Sequence, residues 1–455
     1  MNRPLLFKLG AIGLLMLILL IPLLMIGGLV SDRQQLRGSV LREIAHSSSG
    51  NQSLSGPIVV VPYVKMVREW KVDERSKERV QQLSVARGAL YFLPERFDVE
   101  AKVRTEIRAR GIYQARLFHA DQQVQGQFHL PPRLGLGDDF NDYRFEPAYL
   151  TLGIADIRGI ENVPALRIEG QDNLTFKPGS QVAWLGDGIH APLPSIDATK
   201  GSDFHYAFDL SLQGTGQLQI VPVGRASTVH MSADWPHPSF VGNYLPISRD
   251  ITANGFSAKW STSFFSTNLK SAMQDCAKGK CTAFESRGFG VSFIEPVDQY
   301  LKSERAIKYA LLFIALTFAG FFLFEVLKRI AVHPIQYGLV GLALALFFLL
   351  LLSLAEHIGF AWAYLVSASA CVLLIGFYVS NVLRSLANGL GFTAALAVLY
   401  GLLYALLLAE DYALLMGAIL LFAVLGGFMA LTRRLDWYSV GAGKTAIGKE
   451  DVADA

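Results

Sequence analysis

Leu9 to Val30 reads LGAIGLLMLILLIPLLMIGGLV, 22 residues without a charge. As a helix this run would rise about 30 Å, the thickness of a bilayer's hydrocarbon core. Arg3 and Lys8 precede it. A cleavable signal peptide is the alternative, but its apolar region is usually about 7–15 residues and is followed by a small-x-small site. This run is longer and ends GGLVSDR, so it reads as an uncleaved signal anchor. Five more apolar stretches follow, at about 307–327, 335–355, 359–379, 390–409 and 412–432. They account for a composition of 52% hydrophobic and 17% charged residues, too apolar for an ordinary soluble chain. Their connections are only a few residues long, which implies antiparallel neighbours in a bundle.

Short-loop charge sets an orientation. With the N-terminus cytoplasmic, the inner loops hold Lys328 and Arg329, then Arg384, then Arg433, Arg434, Lys444 and Lys449. The outer loops hold Glu356 and His357, then Glu410 and Asp411, with no Lys or Arg. Tyr309, Trp362, Trp437 and Tyr438 fall near the expected interfaces, where amphipathic rings settle. The expected organisation is therefore a cytoplasmic N-terminus (1–8), a first span (9–30), an outer domain (31–305), a five-helix bundle (306–432) and a cytoplasmic tail (433–455).

The outer domain is long enough for its own core. It carries 31 Lys/Arg against 30 Asp/Glu, a balance that argues against nucleic acid as a partner. Its hydrophobic period is two. In FHYAFDLSL, Phe204, Tyr206, Phe208, Leu210 and Leu212 alternate with polar or small residues; in VEAKVRTEI, Val99, Ala101, Val103 and Ile107 do the same. Such alternation marks strands with one face in solvent, and the recurring Gly/Pro turns between them suggest an antiparallel sandwich. A stretch near 31–46 has an amphipathic helical pattern. The fold class expected is thus a mixed membrane protein: a large all-β domain plus six transmembrane helices, one before it and five after.

Several motifs invite chemistry. DWPHPSFVGNYLP (234–246) places Asp234, His237 and Ser239 within six residues, the parts of a catalytic triad or of a metal site. A triad normally draws its members from separate elements, and Pro236 and Pro238 stiffen this path. No G-x-S-x-G elbow occurs, and the next histidine, His230, lies seven residues back. The stretch reads better as a stiff corner in which Trp235, Phe240 and Tyr244 either pack inward or meet a partner. No metal and no cofactor are expected. Glu325 is a carboxylate near the inner end of a span, where such a group is costly and functional by default; Arg329, four residues on, is its expected partner. GAGKT (441–445) resembles a phosphate loop, but the motif needs a glycine where Tyr438 stands, so no nucleotide is expected. Cys276 and Cys281 have four residues between them, in a region where a disulfide is permitted; spacing alone decides neither way. Cys371 lies within a span.

Six strings carry a resemblance: SGPIVVVPY (55–63), GTGQLQIVPVG (214–224), DWPHPSFVGNYLP (234–246), VDQYLKSERAIKYALLFIALTFAGFFLFE (297–325), HPIQYGLVGLALALFFLLLLSLAEHIGF (333–360) and LTRRLDWYS (431–439). In these the chain resembles the CreD family of bacterial cell envelope integrity proteins. The resemblance implies a Gram-negative inner membrane, a periplasmic domain, membership of a stress response and a role in envelope maintenance and colicin tolerance. It carries no catalytic residues, and neither Cys276 nor Cys281 lies in the matching strings. The function expected is a non-enzymatic factor that binds an envelope component or envelope protein through the β-domain. The alternatives are an envelope-directed hydrolase using Asp234, His237 and Ser239, and a small-solute or lipid transporter using the helix bundle and Glu325.

Overall fold

A computed structural model describes residues 3–72, 79–277, 284, 286–293, 299–328, 332–382, 385–409 and 412–433. The chain forms two compact units, Ser39–Glu295 and the combination of Met1–Gly38 with Pro296–Ala455.

The first unit is built from two sheets. One contains β1 (Gln52–Val72), β2 (Arg79–Phe92), β5 (Tyr143–Phe145), β6 (Tyr149–Ile154), β9 (Lys177–Pro178), β10 (Gly188–Pro192), β12 (Gln217–Val221), β14 (Ser239–Gly242) and β17 (Phe289–Ser292). The other contains β3 (Arg96–Arg110), β4 (Tyr113–Leu130), β7 (Ala165–Ile168), β8 (Leu174–Thr175), β11 (Ser202–Thr215), β13 (Ala226–Ala233), β15 (Ser248–Thr252) and β16 (Gly255–Ser263). The spatial orders are β14-β17-β12-β1-β6-β10-β9, with β2 and β5 also on β1, and β15-β16-β13-β3-β4-β11-β7-β8. Pairing is largely antiparallel. Each sheet also has one parallel pair, β1 with β12 and β3 with β13, joined by long excursions through the rest of the domain.

Alternation explains the core. Val99, Ala101 and Val103 of β3 and Tyr206, Phe208, Leu210 and Leu212 of β11 are buried, and the residues between them face outward. Ile107 keeps the alternation yet is exposed, because β3 is exposed on both faces beyond Thr105, where it pairs only with β4. β1 breaks the alternation differently. Ile58, Val59, Val60 and Val61 are all buried, as expected of a strand enclosed in the middle of a covered sheet. Gly56 opens that run at φ +120°, and a Cβ there would lie 2.9 Å from the Thr151 carbonyl.

The second unit is helical: α1 (Arg3–Ser47) through residue 38, then α4 (Gln299–Lys328), α5 (Pro334–Ile358), α6 (Phe360–Val382), α7 (Leu386–Leu408) and α8 (Ala413–Thr432). The intervening α2 (Phe264–Thr267) and α3 (Leu269–Ala277) belong to the β-unit. Six helices are long and apolar enough to cross a membrane, one near the N-terminus and five after the sheets. Five of them are longer than the expected spans, and α8 is one residue shorter than 412–432, because hydropathy marks the apolar band, whereas a helix continues until its backbone finds another partner. So α1 runs on through residues 31–47, and the compact unit that holds the sheets spans Ser39–Glu295. Buried stripes run along one side of each core helix, as with Tyr337, Val340, Gly341, Leu344, Phe348 and Leu351 on α5. Gly341 permits close approach, since a Cβ there would lie 2.3 Å from Leu19 on α1.

The last turns of α1 pack Ile44 against Ala115 and Leu117 of β4. Polar bonds then fix the exit of the chain. Arg158 Nη1 donates to the His46 carbonyl at 2.6 Å, closing an orphan acceptor of the helix C-terminus. Its guanidinium also holds the Asp156 carboxylate, which accepts the Gly50 N–H at 3.1 Å. Chiefly through Arg158, and against the upward push of desolvation, the Asp156 pKa falls to about 2. An unfolded aspartate titrates near about 3.9. A depressed folded pKa gives stability that is present above the unfolded value and lost as pH falls through the folded one. Urea unfolding followed at successive pH values should therefore show the wild type losing stability from about pH 4 to about pH 2. Asp156→Asn should be less stable at pH 7 and lose less over that window, so that the curves converge near its acid end. Parallel curves would exclude the role.

Candidate functional site

The stretch 234–246 crosses from β13 in one sheet to β14 in the other. Asp234 is exposed, and its Oδ1 accepts the Thr105 N–H at 2.9 Å. Trp235 is 4% exposed and lies in the shared core. Its indole N–H donates to the His237 carbonyl at 2.7 Å, and the Arg116 guanidinium sits 3.9 Å above its ring. The His237 imidazole stands edge-on to the same ring at 5.5 Å. Ser239 is exposed and opens β14. Among the described residues no hydrogen bond links Asp234, His237 and Ser239 to one another. The acid accepts a backbone amide, and among the described residues these three side chains form no nucleophile–base–acid chain.

What this stretch builds is an aromatic corner. Phe240 meets Phe256 at 5.8 Å and Trp260 at 5.7 Å, both edge-on. Trp260 stacks on Phe289 at 5.3 Å and donates its indole N–H to the Tyr244 carbonyl at 3.1 Å. The Tyr244 hydroxyl donates to the Ser266 carbonyl at 3.2 Å. The buried indoles thus have hydrogen-bond acceptors within the loop itself, which satisfies their polar atoms without opening the core. Trp235 faces inward, and Phe240 and Tyr244 are half-buried against the core. Beyond the corner the surface changes character. Leu245, Ile247 and Ile251 are exposed, and β15, exposed along its whole length, forms one edge of its sheet.

Sequence reasoning missed a constellation that only pairing creates. His230 Nδ1 lies 2.8 Å from Glu100 Oε2, and its Nε2 lies 3.0 Å from Ser257 Oγ. That is the order of nucleophile, base and orienting acid, across β16, β13 and β3. The setting does not complete it. β16 is paired on both sides, Ser257 facing Ser232 on β13 and Asp250 on β15, so the local amides serve the ladder and not an oxyanion. The Glu100 and His230 side chains are also well exposed, so water is not excluded. Cross-strand polar pairing accounts for the group.

Within the helical unit, Glu325 is buried and its carboxylate pairs with Lys8 of α1. It also accepts from the Tyr337 hydroxyl at 2.9 Å and from the Val332 N–H at 3.2 Å. Arg329, its expected partner, lies outside the described residues. Glu356 repeats the pattern near the other end of α5: Arg33 of α1 approaches at 3.6 Å and the Tyr300 hydroxyl donates at 3.1 Å. Tyr337 and Glu356 are separated along α5 by about 28 Å, close to the thickness of the hydrocarbon core. Each carboxylate therefore binds an α1 cation and a phenol near one end of the apolar band. Cys276 is buried and disulfide-bonded, and Cys281 lies outside the described residues, as do Glu410, Asp411 and the GAGKT segment. Among the described residues, no cluster of three metal-binding side chains occurs.

Comparison with known proteins sets these features in a lineage. Residues 4–438 match the family described as inner membrane protein CreD. The chain is 36% identical to inner membrane protein CreD of Escherichia coli over 462 residues, covering 100% of this chain and 98% of that protein. Among solved structures, an M1 zinc metallopeptidase from Deinococcus radiodurans matches with a TM-score of 0.19 at 10% identity. That match covers 37% of this chain and 38% of the peptidase, and is too slight to bear on fold or chemistry. With six membrane-crossing helices and agreement along nearly its whole length, the chain belongs to the CreD family of multi-pass inner membrane proteins.

Proposed function

We propose that this protein maintains the cell envelope by binding an envelope component through its β-domain, without catalysis. The observation that carries the reading is the exposed edge strand β15 with Leu245, Ile247 and Ile251 beside a corner whose own aromatic rings are buried or half-buried against the core. An open edge offers main-chain bonds to an extended segment, and neighbouring apolar side chains add contact area. This favours an envelope polypeptide over a glycan or a small solute. The charge pattern of the short loops supports cytoplasmic termini and a periplasmic β-domain, as the proposal requires.

The test uses full-length protein in nanodiscs, incubated with solubilised envelope fractions and captured. A recovered envelope polypeptide should be lost when Ile247→Lys and Ile251→Lys are combined; recovery that ignores these changes would sink the proposed surface. Cells carrying His237→Ala or Ser257→Ala should keep full envelope protection. Loss of protection by a folded Ser257→Ala protein, with covalent labelling of Ser257 by a fluorophosphonate, would establish a hydrolase instead. A C-terminal reporter active only outside the cytoplasm would overturn the orientation.

A further inference from the structure

A groove of about 530 Å³ opens between α6 and α7. Small residues on facing turns create it, among them Ala368 on α6 and Ala397 and Gly401 on α7. Its walls carry no charged residue. Tyr364 and Tyr400 lie against it, but their polar atoms are already used. The Tyr364 hydroxyl donates to the Tyr400 carbonyl at 2.6 Å, and the Tyr400 hydroxyl is 3.3 Å from Cys371 Sγ. A ligand in this groove thus meets a mostly apolar surface, in which the Ser369 and Tyr404 hydroxyls are the other polar groups and no charge is offered. The rim on the α6 side is Trp362, 65% exposed, and Leu365, on a helix long and apolar enough to cross the membrane. Trp362 is near the helix end, whereas Leu365 lies deeper along it, where what borders an exposed apolar side chain is hydrocarbon.

The dimensions select the occupant. The lining residues on α6 run from Ala361 to Val372, about 16 Å of helix. That is about half of a hydrocarbon core some 30 Å thick, or one leaflet. A second helix packing here would follow the groove for the full thickness, whereas a lipid tail needs only its own leaflet. Trp362 lies at the end of α6 near the membrane surface, where indoles sit at headgroup level. We infer that this groove holds one acyl chain of a membrane phospholipid, with its headgroup at the Trp362 end. The lipid would be retained as a ligand and not exchanged as boundary solvent.

The experiment is native mass spectrometry of the full chain released from mild detergent, with phospholipid-mass adducts quantified. Wild type should carry one adduct per chain. Gly401→Leu and Ala397→Phe fill the groove from one wall with apolar atoms, and each should reduce the adduct at least roughly tenfold, since excluding two methylenes is worth about that much. Leu346→Phe, on an exposed position of α5 outside the groove, should leave it unchanged. A phospholipid bearing a mid-chain diazirine should crosslink to peptides of α6 or α7, a readout independent of any variant's folding. Adducts unaffected by both groove variants would overturn the inference, as would equal loss in Leu346→Phe or crosslinks spread evenly over all helices. Wild-type chains that pair without lipid, and come apart on Gly401→Leu, would assign the groove to a second copy instead.

Discussion

Glu325→Ala should be among the most damaging single changes in the helical unit, costing about 3 kcal/mol or more. The substitution leaves the Lys8 ammonium without its counter-ion and strips partners from the Tyr337 hydroxyl and the Val332 N–H. Removing one member of a buried pair is costly because the other charge remains, away from water. Lys8 limits the loss by extending toward the interface, as long cationic side chains do. The check is thermal unfolding in detergent across a cycle of Lys8→Met, Glu325→Gln and the pair. A pure clamp predicts that the double variant recovers part of what either single change loses. It also predicts that the double variant still protects the envelope. A proton- or ion-coupled carrier would behave in the opposite way, with Glu325→Gln folded but inactive and no rescue by Lys8→Met. The matching arrangement at Glu356, Arg33 and Tyr300 gives this prediction a second place to fail.

Trp260→Ala should cost about 3–5 kcal/mol in the β-domain, the usual toll for truncating a buried tryptophan. The side chain is 1% exposed, stacks on Phe289 and receives Phe240 edge-on, so its removal leaves a cavity where the two sheets meet at this corner. It also leaves the Tyr244 carbonyl without the indole donor that holds the loop. Against a typical domain stability of about 5–15 kcal/mol, such a loss is large. Urea denaturation should show a midpoint shift with little change in slope, and His237→Ala should fall within about 0.5 kcal/mol of wild type. Equal destabilisation by the two would contradict the packing described. Loss of protection from His237→Ala at unchanged stability would return chemistry to DWPHPSF.

How much of this was legible beforehand differs between the units. Alternation specified the buried side chains of 206–212 and 99–103, because period two leaves a strand only two faces, but it overreached at Phe204, which is half-buried, and at Ile107, which is exposed. The Pro-flanked Trp235 marked a corner, and its packing inward follows from an indole whose N–H can bond a carbonyl two residues away. The His230–Glu100–Ser257 group gave no local signal. Its members are brought together by a parallel pair and an antiparallel pair of strands, and register is not written into a spacing. Lys8 was equally hidden: it lies 317 residues from Glu325, whereas Arg329 stood four residues away and looked the natural partner.

The membrane helices show most plainly where sequence stops. Unbroken apolar runs determined by themselves that six segments can cross a bilayer, since length against hydrocarbon thickness needs no knowledge of neighbours. They did not determine which side of each helix meets the others. Helices such as α5 are apolar all round, so hydrophobicity cannot distinguish a lipid-facing side from a packed one. Shape decides instead: Gly341 admits Leu19, Tyr337 reaches Glu325, and Ala397 with Gly401 leaves a groove where larger side chains would have closed it. Those choices depend on van der Waals fit and on a few buried polar bonds between distant parts of the chain, and only the tertiary structure makes them.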